Sequence, residues 1–300
     1  MCAATPPLLV YLDSKEIIDL ERGAIEAELL PSLFERGGAA LVLSPTVIDE
    51  CIEPLHRREG GSVMRVMNIL EATSHRWLRT VDLEERELSS AAEAFAASRI
   101  PIRAVPFCDS YLDTGFVDSR TKRFYRSKPL AAILWDQVYG ERTSAAAANI
   151  AERFPDLVRT DRELISTWSP GEYRAKLRKK FDQKIRGILG ETRSSREFLD
   201  SLWSRPDWSP ATRLGFEAYH TFVRDRGTHP TVNDVNDFTR LIALPYVDIF
   251  TADGPKRDLL RRLEEKAELS GMEHWSRVQI LKNIHEVVAL LERKATQRDR

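Results

Sequence analysis

Two short, continuous apolar runs near the start of the chain constrain its fold more than any other feature. Residues 8–12 read LLVYL and residues 40–44 read ALVLS, and neither run alternates apolar with polar residues. Runs of this length and composition are typical of strands that are buried on both faces of a parallel sheet. A segment with helical spacing follows each run, so the pattern predicts β-α-β-α units with right-handed crossovers.

The rest of the chain divides into a helical middle and a second α/β part. Residues 76–81 are a shorter third strand candidate, and alanine-rich or charged helical stretches dominate residues 84–230. A strand-like segment, YVDIFTAD, and a last strand-helix pair at the end restore the α/β pattern. We therefore predict an α/β fold with a central parallel sheet. Residues 1–83 and 231–300 would form its core, and residues 84–230 a mostly helical insertion.

Composition limits the function classes. Lys and Arg number 45 against 46 Asp and Glu, so no global basic field attracts nucleic acid, and any such binding needs a local patch. Three cysteines without metal-ligand spacing predict neither a disulfide framework nor a zinc site. The first residues lack the basic region of a signal peptide, and no apolar stretch approaches the ~20 residues that span a bilayer. We expect a soluble, cytoplasmic protein.

Four acidic residues stand where such a fold gathers ligands. Asp13 ends the first apolar run, and Glu50 lies early in the helix that leaves the second run. Asp237 lies on a helix, and Asp253 follows it by sixteen residues, just beyond YVDIFTAD. Because the carboxyl ends of parallel strands share one edge of a sheet, we expect these four acids to lie near one another.

Each acid also has a structural explanation. Asp13 suits the N-cap of the following helix, and Glu50 suits a solvated first turn that is favoured by the helix dipole. The two later acids could belong to a solvated surface. Asp234, one turn before Asp237, and Asp248, at the start of the strand, are further candidates for the same site.

The combination of acids favours metal chemistry. Asp and Glu are rarely buried unless they are paired or bound to a metal. An all-oxygen ligand set suits Mg²⁺ or Mn²⁺, whereas zinc prefers nitrogen and sulfur. Such ions lower the pKa of water and neutralise charge on a phosphodiester. The sequence therefore predicts that these acids are ligands of a hard divalent cation, and one of them could also position the attacking water.

These segments resemble those of PIN-domain nucleases. The matching pieces are LLVYLDS with Asp13, LVLSPTVIDE with Glu50, NDFTRLIAL with Asp237 and DIFTAD with Asp253, while Thr251 is similar to the hydroxyl that supports the last acid in that family. The likeness covers roughly the first 55 and the last 70 residues. The middle of the chain is much longer than in the compact toxin members of the family.

The resemblance implies a function for the whole arrangement. Such a protein has a three-layer α/β/α fold. It is an endonuclease that hydrolyses phosphodiester bonds with Mg²⁺ or Mn²⁺, favours RNA over DNA and often forms homodimers. The four acids would be its metal ligands and catalytic residues. The candidate partners are a nucleic acid substrate, a second copy of the chain and an inhibitory protein.

A basic run in the middle of the chain is a candidate nucleic-acid surface. Phosphate contacts need such charges, and Trp168 and Tyr173 beside the run suggest base stacking. The alternative is an ordinary solvated helix. The candidate residues are Arg174, Lys176, Arg178, Lys179, Lys180, Lys184 and Arg186.

Two other functions are consistent with parts of the pattern. A non-catalytic PIN-like scaffold that binds RNA or a protein partner is the main alternative, although retention of all four acids argues against a decayed site. A phosphatase-like enzyme with Asp13 as the nucleophile is less consistent, because Asp-x-Asp is expected there and the chain reads Asp13-Ser14-Lys15.

Overall fold

A six-stranded, mostly parallel sheet flanked by helices forms the centre of the molecule, and the predicted three-layer α/β/α fold is confirmed. The computed structural model describes residues 6–23, 25–56, 60–80, 82–115, 123, 128, 130, 132–133, 145–225, 227, 229–231, 233–266, 269, 272 and 275–298. In these ranges no helix is long and apolar enough to cross a membrane.

The strands follow the order β4-β3-β2-β1-β5-β6, and only β4 runs antiparallel to its neighbour. Their bounds are β1 Leu8–Tyr11, β2 Ala39–Leu43, β3 His75–Leu78, β4 Phe107–Cys108, β5 Ile249–Thr251 and β6 Gln279–Leu281. The chain therefore leaves β1 towards β2 and β3 on one side, and returns much later to place β5 and β6 on the other side. The strands predicted at both ends of the sequence are confirmed to within a few residues.

The helices of the N-terminal part are α1 Ser14–Glu21, α2 Leu30–Gly37, α3 Pro45–His56, α4 Gly60–Ala72 and α5 Leu83–Ala96. The longer helices that follow are α6 Ala145–Thr167, α7 Pro170–Leu189, α8 Arg196–Ser204 and α9 Pro210–Arg224. The C-terminal part contributes α10 Asn233–Leu241, α11 Gly254–Glu264 and α12 Ile284–Arg298.

The main core lies around the centre of the sheet. All five residues of β2 are buried, and the Tyr11 ring of β1 stacks on Phe250 of β5 with ring centroids 5.1 Å apart. Burial of side chains of this size contributes roughly 1.5–3 kcal/mol each to folding. Ala211, Leu214 and Ala218 of α9 belong to the same core, so the helical middle of the chain packs directly against the sheet domain.

The predicted insertion differs from the observed structure in one respect. It is mostly helical, as expected, but its residues Phe107–Cys108 form β4 and extend the sheet beyond β3. Two residues are too few to produce a strand pattern in the sequence. The division at residues 84 and 230 stays a prediction, since the helices of the middle segment pack on the main core as well as on each other.

One buried carboxyl, Glu87 of α5, joins the helical part to the sheet. It accepts hydrogen bonds from the Ser209 hydroxyl at 2.9 Å, the Ala211 backbone N–H at 3.0 Å and the Tyr246 hydroxyl. Ser209 and Ala211 lie at the N-terminus of α9, where a carboxyl satisfies otherwise unpaired N–H groups. Tyr246 lies in the turn before β5. Burial raises the pKa of Glu87 to about 8.

This shift predicts a pH-dependent contribution to stability. The pKa of Glu87 rises from an ordinary 4.5 in the unfolded chain to about 8 in the folded one, so its stabilising contribution is full below pH 4.5 and is lost as the pH rises through 8. The unfolding free energy of the wild type relative to Glu87→Gln should fall across this window, by at most about 1.4 kcal/mol per pH unit. Urea unfolding at several pH values measures it.

Glu85→Gln is the matched control, since Glu85 lies on the same helix but is exposed. The difference in unfolding free energy between Glu85→Gln and the wild type should show no change across this pH window. A constant difference for Glu87→Gln as well would contradict the assignment.

Candidate acidic site

The candidate site lies at the topological switch point of the sheet. Strands β1 and β5 are parallel neighbours, and the chain continues from them to opposite sides of the sheet. Open α/β sheets bind ligands outside the carboxyl ends of the strands at such a point, because diverging connections leave a crevice there. Asp13 follows β1 and Asp253 follows β5, so both acids begin at this crevice.

Asp13 is both a helix cap and a buried member of the site. Its side chain is the N-cap of α1 and accepts the Ser14 N–H at 2.8 Å. Its own backbone N–H donates to the hydroxyl of Thr251, also at 2.8 Å. Thr251 is fully buried and thus supports the first acid, whereas the family resemblance suggested that it supports the last one. The cap and the site are therefore compatible explanations for Asp13.

Arg240 lies at the centre of the acidic residues. Its Nη1 donates to Asp13 at 2.5 Å and to Asp237 at 3.1 Å, and its other terminal nitrogen pairs with Glu50. The arginine side chain is only 5% exposed, so these charges interact out of water. Three acids from α1, α3 and α10 therefore meet on one guanidinium.

Lys256 joins the same cluster from α11. Its Nζ lies 2.7 Å from Asp13 Oδ2 and 2.9 Å from Asp237 Oδ1. Asp253 is the N-cap of α11 and accepts the backbone N–H of Lys256 at 3.2 Å. The first turn of α11 thus supplies the fourth acid and the second cation. We call Asp13, Glu50, Asp237, Asp253, Arg240 and Lys256 the acidic site.

The pKa values of two groups in this site, Asp237 and Lys256, are raised. Burial raises the pKa of the Asp237 carboxyl to about 6 despite the opposing effect of Lys256, and the charges on Asp13 and Asp253 add to the rise. Burial alone would lower the pKa of the Lys256 ammonium, but Asp13 and Asp237 raise it above its usual value. Lys256 is therefore charged at neutral pH, while Asp237 is ready to exchange a proton near it.

The donor set fits a hard divalent cation by its chemistry. It consists of carboxylate oxygens, the ligands that Mg²⁺ and Mn²⁺ prefer. When all six groups are ionised, the four carboxylates and the two cations leave an excess of two negative charges. One divalent cation would balance this excess.

The carboxylates are not arranged as they would be around a bound metal ion. Among the described residues no group of three or more His, Cys, Asp or Glu is arranged to hold a metal ion. Instead, Arg240 and the Lys256 ammonium each bridge the carboxylates of Asp13 and Asp237. Metal ligation by Asp13 and Asp237 together would require the lysine ammonium, which ends a flexible stem, to move aside.

The two further candidate acids lie outside the cluster. Asp248 is exposed at the start of β5, where its side chain accepts the Leu9 N–H at 2.7 Å. It therefore lies at the amino end of β5, whereas Asp253 follows the carboxyl end of that strand, and the structure does not bring Asp248 together with the other acids. Asp234 accepts both the N–H and the hydroxyl of Thr231, which explains it as a turn at the start of α10.

A depression of about 430 Å³ opens beside the acidic site. Asp237 and Lys256 form one wall of it, so the depression and the site are continuous. Its apolar surface comes from Phe222, Phe238, Leu241 and Leu259. Asp234 also lines it, which places this acid near the site without making it part of the ion-pair cluster.

The basic run in the middle of the chain forms α7, and most of its charge is neutralised within the molecule. Tyr173 is buried and stacks on His220 at 5.7 Å, so it does not present a ring to solvent. Lys176 lies over the Trp168 ring, 5.2 Å from its centre. Five of the basic side chains form ion pairs with acids: Arg174–Glu217, Arg178–Asp200, Lys180–Asp161, Lys184–Glu84 and Arg186–Glu191. Use of this helix as a nucleic-acid surface stays a prediction.

The sequence analysis missed the two cations of the acidic site. Arg240 follows Asp237 by three residues on α10, and Lys256 follows Asp253 by three residues in the first turn of α11. This spacing places the two side chains of each pair on one face of a helix. It is the sequence signal from which the two cations could have been found. It was weak, because such pairs are more often found on solvated surfaces.

We predict that Arg240 holds the acids together. In Arg240→Met, Asp13, Glu50 and Asp237 lose their shared partner, and only Asp13 and Asp237 keep an ion pair, with Lys256. The free energy of unfolding in EDTA should therefore fall by about 3–5 kcal/mol. Mn²⁺ should restore more stability to this variant than it adds to the wild type, since the uncompensated charge is larger. Urea unfolding with and without Mn²⁺ measures both effects.

Arg261→Met provides the control for the loss of an arginine. Arg261 is 69% exposed and lies 3.7 Å from Asp258, so its replacement should change stability by no more than about 0.5 kcal/mol. If Arg240→Met is as stable in EDTA as the wild type, the central role of Arg240 is contradicted.

Comparison with family models, with curated proteins and with solved structures finds no match for this chain. The likeness to PIN-domain nucleases therefore depends on the quoted motifs alone.

Proposed function

We propose that the protein is a divalent-metal-dependent endonuclease of the PIN type that hydrolyses phosphodiester bonds, with RNA favoured over DNA. The observation that carries the proposal is the meeting of Asp13, Glu50, Asp237 and Asp253 at the switch point of a parallel sheet. These acids come from four separate helices and from both ends of the sequence. Helix capping explains two of them singly, but it does not explain why all four converge.

Each acid has a distinct role in this proposal. Asp13 is rigid, because its backbone and its side chain are both hydrogen-bonded, and it would form the fixed side of a cation site together with Asp253. Glu50 would contribute to the same cation site from α3. A bound Mg²⁺ or Mn²⁺ supplies acidity to water and charge neutralisation to the phosphodiester.

Asp237 and Lys256 would handle the proton and the phosphate. The raised pKa of Asp237, about 6, makes its carboxylate a stronger base than an ordinary aspartate, so it can accept a proton from water near neutral pH. Lys256 reaches the site on a flexible stem and is partly accessible. Its ammonium can turn from Asp237 to the negative charge of a bound phosphodiester.

The depression beside the site supports a single-stranded substrate. Its aromatic side chains, Phe222 and Phe238, offer apolar surface to a nucleobase next to the carboxylates. Bases contribute stacking of this kind when they are not paired in a duplex. The preference for RNA comes from the family resemblance and from no contact in this molecule.

A second candidate function is a non-catalytic scaffold that binds RNA or a protein partner. The specific observation in its favour is the pairing of Arg240 and Lys256 with the acids, since two resident cations already offset half of their charge. In a scaffold these ion pairs would stabilise the switch point permanently, and the site would not need a metal ion.

Cleavage assays test the proposal. Labelled single-stranded RNA, hairpin RNA and single-stranded DNA are incubated with the protein in Mn²⁺, Mg²⁺ or EDTA. We expect cleavage of single-stranded RNA that requires the metal and falls by at least about 100-fold in Asp13→Asn and in Asp253→Asn, because even outer partners of metal ligands affect activity by about 10- to 100-fold.

Asp248→Asn is the matched control, because it makes the same chemical change at the other edge of the sheet and should cut like the wild type. Equal loss in all three variants would indicate damage to the fold and not to a site. If the wild type cuts none of the substrates and binds no Mn²⁺, yet retains RNA in EDTA, the scaffold is the correct function and the nuclease is rejected.

A further inference from the structure

Lys256 is held more loosely in the acidic site than Arg240. Its side chain is 13% exposed against 5% for Arg240, and its ammonium contacts two carboxylates where the guanidinium contacts three. A planar guanidinium that turns away loses all of its bonds together, whereas an ammonium on a four-carbon stem changes partner by rotation of the stem. Of these two cations, Lys256 is therefore the one that can leave its position.

The Lys256 ammonium lies where a shared metal ion would have to lie. Its Nζ is 2.7 Å from Asp13 Oδ2 and 2.9 Å from Asp237 Oδ1, so it bridges the two acids. A divalent cation bound to both of these oxygens must also lie between them. The ammonium and the metal ion are therefore alternatives at this position, and their exchange needs a second place for the lysine charge.

The depression beside the acidic site provides that second place. Lys256 lines it together with Asp234 and Asp237, which both belong to α10. Residues that are three apart on a helix lie on one face, with their Cβ atoms roughly 5–6 Å apart. A shift of the ammonium by one helical turn, from Asp237 to Asp234, therefore stays within the reach of the lysine stem.

Asp234 has a carboxylate oxygen that can receive the ammonium. The N–H and the hydroxyl of Thr231 both donate to its Oδ2. Within the part of the chain that the structure describes, its Oδ1 accepts no hydrogen bond and the residue forms no ion pair. Asp234 is half-buried, so water screens a new ion pair there only in part.

The apolar wall of the depression suits the lysine stem. Phe238 and Leu259 line the depression, and both are partly exposed. Lysine stems commonly lie along apolar surface of this kind while the charged end stays in a polar place. The stem therefore keeps favourable contacts when its ammonium pairs with Asp234.

We propose that Lys256 is an exchangeable internal counter-ion of the acidic site. It bridges Asp13 and Asp237, and it moves to Asp234 when a divalent cation binds to those two acids. The move takes the ammonium away from an ion of the same sign, which would otherwise repel it. This inference rests on the cation site of the proposed function. It adds that the protein's own lysine competes with the metal ion, and that Asp234 favours metal binding without being a ligand.

Lysine labelling tests the exchange in the wild-type protein. The full chain is reductively methylated in EDTA and in Mn²⁺, and mass spectrometry follows the rate at each lysine. We expect Lys256 to react roughly 2- to 5-fold faster in Mn²⁺, because it exchanges two ion pairs for one and becomes more accessible. Lys179 is exposed on α7 and is the control, so its rate should be the same in both conditions.

Mn²⁺ titration calorimetry of variants measures the competition. Lys256→Met should bind Mn²⁺ at least about 10-fold more tightly than the wild type, because a positive charge is removed from between two ligands. Asp234→Asn should bind Mn²⁺ about 5-fold more weakly, because the displaced ammonium then lacks an acidic partner. Added to Lys256→Met, the same Asp234→Asn change should alter the affinity by less than about 2-fold, since no lysine has to be displaced.

Asp258→Asn is the matched control for the loss of an acid. Asp258 lines the same depression, but it is 63% exposed and lies 3.7 Å from Arg261. Residues two apart on a helix do not face each other, so Asp258 is not expected to receive the Lys256 ammonium. Its replacement should change the Mn²⁺ affinity by the same factor, within about 2-fold, with Lys256 and with Lys256→Met.

The inference is overturned if Lys256 reacts at the same rate in EDTA and in Mn²⁺. It is also overturned if Asp234→Asn weakens Mn²⁺ binding equally with Lys256 and with Lys256→Met, since Asp234 then acts on the ion directly. The labelling needs no variant, so it decides the exchange even if Lys256→Met fails to fold.

Failure of this inference can be told apart from failure of the nuclease proposal. Metal-dependent RNA cleavage with an unresponsive Lys256 rejects the exchange and keeps the nuclease. Exchange of Lys256 in Mn²⁺ without cleavage of any substrate keeps the exchange and rejects the nuclease. If neither the wild type nor Lys256→Met binds Mn²⁺, both are rejected.

Discussion

The pairing of β1 with β5 is the contact on which the fold and the acidic site depend. Val10 lies opposite Ile249 and Tyr11 opposite Phe250, although these partners are separated by almost the whole sequence. The entropy of closing a loop grows only with the logarithm of its length, so a long helical segment between the strands adds little to the cost of pairing. The Tyr11–Phe250 stack and the bond from Asp13 N–H to Thr251 then fix the strand ends.

The same strand pairing brings the acids of the acidic site together away from water, so their charges need compensation. Buried carboxylates are unfavourable unless they are compensated, and Arg240 and Lys256 provide that compensation. Removing either partner leaves uncompensated charge in the same space. The structure contains the arrangement in which both cations pair with the acids. Under the proposed nuclease function an external divalent cation would replace part of their charge, whereas a scaffold would keep the ion pairs.

The other edge of the sheet has a different chemistry. Glu87 there binds the start of α9 and the turn before β5, and it links the helical part of the chain to the sheet. Next to it lies an aromatic cavity with arginines at its rim.

The sequence by itself determined the α/β class, the central strands and the acids at their ends. Continuous apolar runs have few alternatives to a buried parallel strand, and an acid directly after such a strand must lie at its carboxyl end. Features that depend on distant partners were decided only by the tertiary structure. Strand β4 is two residues long and exists because β3 offers an unpaired edge. In the sequence Arg240 and Lys256 resemble solvated helix charges, but packing buries them against the acids. Asp248 lies at the amino end of β5, away from the other acids, because it precedes that strand instead of following it. Local patterns specify which side chains are apolar and how an element is spaced, whereas long-range packing decides which charges lose their water and face one another.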